Sequence, residues 1–144
     1  MTNIYMICSV RNATEEEKAK VLEYVEVLEK DGHTVRCPFR DTKQDDETGM
    51  RIVEEHEGDI IWADEIHIIW NPDSQGSLWD AAQTRMAMHF MPGKKIVVGN
   101  ALEIEITDHK SYINAILMTH YGLDSKSSLA DLKKVHMRAR KSSA

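Results

Sequence analysis

Residues 4–10 read Ile4-Tyr5-Met6-Ile7-Cys8-Ser9-Val10. Ile4, Tyr5, Met6, Ile7 and Val10 form an apolar run without strict alternation, the pattern of a strand covered on both faces and hence of a parallel sheet enclosed by helices. The next segment fits that sheet. Thr14 and Glu17 make a capping box, Val21, Val25 and Leu28 recur at helical spacing, and Gly32 supplies the stop. A short second strand over residues 33–37 ends at Pro38, residues 39–49 read as a polar, acidic loop, and residues 50–63 read as a second helix.

Residues 65–70 are a third strand, and the polar turn 71–76 opens a third helix at Ser77 that ends near Pro92-Gly93. Residues 95–98 are a fourth strand, 102–106 a short fifth, and 111–121 a further helix. The tail from Ser125 carries Leu129, Leu132 and Val135 at helical spacing, and its basic end, with Arg138, Arg140 and Lys141, reads as a solvated terminus. Strands alternating with helices imply right-handed βαβ crossovers. The expected fold is α/β, a flavodoxin-like three-layer sandwich with a parallel sheet of four to five strands. With no internal repeat or linker, one domain spanning residues 1–144 is expected.

At 144 residues, 42% hydrophobic and 29% charged, the chain has enough apolar material for a core without disulfide or metal staples. The net charge of -6 argues against duplex nucleic acid as a partner, because a general phosphate-backbone binder needs a large basic surface. One small phosphate needs only a few local donors. The apolar run near Met1 is too short for a bilayer and lacks signal-peptide features, so a cytoplasmic protein without membrane attachment is expected. Cys8 and Cys37 read as reduced, buried thiols, and the seven histidines show no ligand spacing, so no metal site is expected.

Ligands of open parallel sheets bind outside the carboxyl ends of the strands. Three segments fall there: residues 9–12, 40–46 and 71–80. The first has neither a GxGxxG nor a P-loop pattern, but offers the Ser9 hydroxyl and the Arg11 guanidinium, either a bidentate phosphate ligand or a solvated arginine. The third, Ser74-Gln75-Gly76-Ser77-Leu78-Trp79-Asp80, places hydroxyls and free amides at a helix start that favours anions. It equally fits a capping box in which Ser77 caps and Asp80 reaches back. Trp79 reads as core packing or as a stacking surface for a base, and the acidic run 41–47 as a solvated loop or a substrate clamp.

Residues 4–11, Ala63-Asp64-Glu65 and residues 74–82 together resemble the nucleoside 2-deoxyribosyltransferase family, including its branch of 2'-deoxynucleoside 5'-monophosphate N-glycosidases. The resemblance runs from about Ile4 to Asn100. It implies that Tyr5 positions Asp80 for attack on C1' of the deoxyribose. It also implies that Ser9, Arg11 and Ser74 hold a 5'-phosphate, that Gly76 and Ser77 line the pocket, and that Asp64 binds sugar or base. Arg40, Asp41 and Asp45 from the acidic loop join as candidate substrate contacts, with Asp41, Asp45 or Asp46 assisting base departure. No cofactor is implied, the partner is a small nucleoside or nucleotide, and a homodimer is expected. Met86, Met88, Phe90 and Met118 offer apolar material for it. Where the family carries glutamate, this chain has the shorter Asp80. An alternative is therefore a nucleotide-binding sensor or sequestering domain with little catalysis.

Overall fold

The computed structural model describes residues 1–143. β1 (Asn3–Ile7) lies inside a four-stranded, all-parallel sheet of order β2-β1-β3-β4, with β2 at Thr34–Arg36, β3 at Glu65–Ile68 and β4 at Lys95–Val98. Alternate residues of β1 feed two cores, as the two-residue period of a strand requires. Ile4, Met6 and Cys8 pack on Val21 and Val25 of α1 (Glu15–Lys30). Tyr5 and Ile7 join Ile66, Ile68, Ile96 and Val98 on the opposite face. Beneath that face run α3 (Met50–Trp62), α4 (Gln75–Met88) and α5 (Tyr112–His120). This is the expected flavodoxin-like α/β arrangement.

The caps explain where helices begin. Thr14 and Glu17 form the expected capping box of α1. A one-turn helix, α2 (Pro38–Asp41), starts at Pro38 and takes up the first residues of the segment read as a loop, and the Asp41 carboxylate accepts the Cys37 N–H at 2.8 Å. Asp46 accepts the Thr48 and Ile52 amides at the entry to α3. Lys94 is buried at the other end of α3, where its ammonium donates to the Ile60 and Ala63 carbonyls.

The expected fifth strand is absent. Residues 101–103 form a 3₁₀ turn, and α6 (Leu129–Ser142) satisfies the polar backbone that a neighbouring strand would have paired. The Ile104 carbonyl accepts from His136 Nε2 at 2.9 Å and Arg140 Nη2 at 2.8 Å, while Arg140 Nε reaches the Leu102 carbonyl. Arg140 is thus a structural tie and not simply a solvated terminal charge. The outer edge of β4 is covered by α5, whose His120 Nδ1 accepts the Val98 N–H at 2.9 Å. Among the described residues no helix is long and apolar enough to cross a membrane.

Candidate active site

The carboxyl ends of β1, β2 and β3 open on a cavity of 650 Å³. Its walls come from the loop after β1, one face of α3 and the first turns of α4; Ser9, Arg11, Ser74, Gly76, Ser77 and Asp80 all line it. Six expected site residues, separated by up to 71 positions in sequence, therefore meet on one surface because parallel crossovers return every strand in the same direction.

α4 starts one turn fragment earlier than expected. Ser74 is the N-cap, its Oγ accepting the Ser77 N–H at 3.2 Å and donating to Ser77 Oγ at 2.9 Å. The Gln75 and Gly76 amides have no partner among the described residues, so the helix start offers free donors at the cavity. The helix ends at Met88, before Pro92. These contacts correct the Ser77–Asp80 capping box: Asp80 does not reach back.

Asp80 turns to the sheet instead. Its Oδ2 accepts from Tyr5 OH at 3.2 Å and pairs with His56 Nδ1 at 3.0 Å. Both partners use the same oxygen, and Oδ1 has no partner among the described residues. Tyr5 is fully buried beneath the carboxylate, and burial first, then the Asp80 charge, raise its hydroxyl well above the usual tyrosine range. It therefore stays protonated and donates. The His56 ring lies 5.7 Å from the Tyr5 ring, tilted by 52°, with its side chain 12% exposed.

His56 was not among the residues singled out from sequence. A signal was present: Ile52, His56 and Ile60 follow one another at four-residue spacing, so the histidine lies on the inward stripe of α3.

Four expected substrate contacts lie off this cavity. Asp64 precedes β3 at the amino end of the sheet, and its Oδ2 accepts the Asn3 N–H at 3.0 Å. Arg40 is spent on Glu29 at 2.5 Å, the Val35 carbonyl and Asp41. Burial works to raise the Asp41 carboxyl, but the Arg40 and Cys37 hydrogen bonds outweigh it and hold it below the usual range. Asp45 sits on the exposed loop beside Lys43 and Arg51.

Trp79 is 58% exposed and lines the cavity, which rules out core packing for it; Trp62 and Trp70 do pack against the core. Cys8 also lines the cavity, and its contact with Cys37, then burial, push its thiol up from the ordinary value, away from the thiolate. Both thiols are buried and free.

The chain superposes on the 2-deoxyribosyltransferase of the psychrotolerant bacterium Bacillus psychrosaccharolyticus with a TM-score of 0.53, over 90% of this chain and 95% of the other. It has the fold of a 2-deoxyribosyltransferase. Identity across the match is 19%, so the likeness is one of fold. No protein-family model matches the chain, nor does any curated protein.

Proposed function

We propose that this protein breaks the N-glycosidic bond of a 2'-deoxynucleoside or its 5'-monophosphate, with Asp80 as nucleophile and water or a second base as acceptor. The observation that carries the reading is the state of Asp80. One carboxylate oxygen is tethered by two side chains, and the other has no partner among the described residues, with Asp80 on the wall of a nucleotide-sized cavity. A carboxylate held in that way presents one oriented oxygen, as retaining glycoside chemistry requires.

The free Oδ1 attacks C1' as the base departs, giving a glycosyl-enzyme ester, and the acceptor then displaces Asp80. Ser9, Arg11, Ser74 and the free amides at the start of α4 suit a 5'-phosphate, since an anion there gains charge-assisted bonds and the helix dipole. Gly76 keeps its side of the cavity open, and exposed Trp79 offers a face to the base. The shared fold supports the reading, because the superposed enzyme is described as a biocatalyst for nucleoside synthesis. The proposal includes a homodimer. Trp79 and Tyr112 line a 570 Å³ groove between α4 and α5, and Met86 of α4 and Phe90 just beyond its end are 60% and 78% exposed. Met88 packs against the core, as does Met118, which also lines the groove.

The length of Asp80 favours a second reading, in which the domain binds nucleotide and turns it over little. The carboxylate is one methylene shorter than glutamate and only 7% exposed, and an offset of about 1 Å can cost ~10²-fold. Chromatographic detection of free base over a panel of deoxynucleosides and monophosphates tests the proposal. Release from at least one supports it. Binding without any release favours the sensor.

A further inference from the structure

Cleavage at an N-glycosidic bond needs a proton for the departing base as well as a nucleophile. The carboxylates expected to help, Asp41 and Asp45, do not line the cavity, and Asp46 is engaged at the start of α3. Tyr5 holds its proton too tightly, through burial and the Asp80 charge, and Cys8 does so through Cys37 and burial.

His56 remains. A carboxylate only accepts hydrogen bonds, so the 3.0 Å contact with Asp80 Oδ2 places a proton on His56 Nδ1. That leaves Nε2, which is buried and has no partner among the described residues. Other buried polar atoms also lack partners, on His33, Trp70 and Gln83, but none of those residues lines the cavity that holds Asp80. A buried, unpaired ring nitrogen beside a nucleophile is a proton-transfer site awaiting its partner, and such bonds often close only in the complex.

We propose that His56 starts as the imidazolium paired with the Asp80 carboxylate, gives its Nε2 proton to the departing base and then takes one from the acceptor. The inference rests on the reading of Asp80 as nucleophile. In the first half-reaction the Oδ1 lone pair forms the bond to C1', and the C1'–N pair moves onto the base. A ring nitrogen or carbonyl oxygen of the base takes the Nε2 proton, and the imidazolium becomes neutral imidazole. In the second, Nε2 accepts a proton from water as its oxygen bonds C1', and the C1'–Oδ1 pair returns to Asp80. Base and deoxyribose leave, and the imidazolium is restored. Tethering at Nδ1 keeps the ring in place while its charge changes, so one residue both orients the nucleophile and moves the proton.

The test pairs a deoxynucleoside, or its monophosphate, that the protein cleaves with an analogue whose base leaves without a proton. For a purine this is the N7-methylated compound; for a pyrimidine it is the 5-nitro compound. His56→Asn keeps an amide donor near the Nδ1 position but has nothing at Nε2. It should lower release of the ordinary base by about 10²-fold or more, and release of the activated base by less than about tenfold. His56→Gln should show the same split. Equal losses on both substrates would overturn the role of His56 while leaving Asp80 as nucleophile. The unaltered protein gives a reading independent of any variant's folding. With an internal acid, its rates on the two substrates should lie within about tenfold, and a preference for the activated substrate above about 10³ would overturn the proposal. No release of either base would refute the Asp80 reading itself, and this inference with it.

Discussion

Tyr5→Phe removes one hydroxyl and leaves the ring that fills the core. Tyr5 is fully buried, and among the described residues its hydroxyl bonds one side chain, Asp80 through Oδ2 at 3.2 Å. A hydrogen bond to a charged group contributes about 1.5–3 kcal/mol, and strong hydroxyl–carboxylate bonds are near 2.6 Å, so the longer contact belongs at the lower end. His56 still holds the same oxygen. About 1.5 kcal/mol of orientation is therefore lost, which is roughly tenfold in kcat/KM. Stability should fall by no more than the same ~1.5 kcal/mol, because the departing donor leaves no unpaired hydroxyl behind and the phenyl ring preserves the packing. Initial rates of base release and denaturant midpoints on the same preparation measure both. An undiminished rate would show that Tyr5 does not orient Asp80, and a rate loss matched by unfolding would make it purely structural.

Arg11→Ala should weaken a monophosphate by roughly 10–10²-fold and the matching nucleoside hardly at all, because the charge-assisted contact exists only with phosphate present. Equal weakening in titration calorimetry would make Arg11 structural. Ser74→Ala removes the N-cap of α4 and should cost about 1 kcal/mol by denaturant unfolding, together with weaker phosphate binding. Burial, then the nearby His136 and His67, lower the pKa of His120 from its ordinary 6.5, and its Nδ1 must stay unprotonated to accept the Val98 N–H. The unfolded chain therefore binds this proton first, and stability falls as pH drops through about 6.5 toward the lower folded value. His120→Gln, which can still accept, should remove that part of the acid loss, and parallel melting curves against pH for both proteins would refute it. Light scattering should report a dimer at micromolar concentration, and a monomer would remove that part of the proposal.

The parts of the fold readable in the sequence were those fixed by local chemistry. The β1 run and the Thr14–Glu17 box each allowed one answer. Residues 102–106 did not: Leu102, Ile104 and Ile106 alternate like a strand, but His136 and Arg140, more than thirty residues away, supply the hydrogen bonds that decide the backbone. The start of α4 failed for a similar reason. Ser74 and Ser77 are both good caps, and only the pull of Tyr5 and His56 on Asp80 separates them. Of the site, the Tyr5–Asp80 contact and the residues around the cavity were legible through the resemblance. Asp64 and Arg40 were misplaced because short motifs carry no information about which end of a strand, or which neighbouring carboxylate, a side chain will meet.

Base release by Asp80→Asn tests most directly whether the Asp80 oxygen left free by Tyr5 and His56 attacks C1'. Asparagine keeps the shape and can still accept from Tyr5, but it has no anionic oxygen to form the ester. No detectable release is expected, with melting temperature and nucleotide affinity close to those of the unaltered protein. Release at an undiminished rate would contradict it.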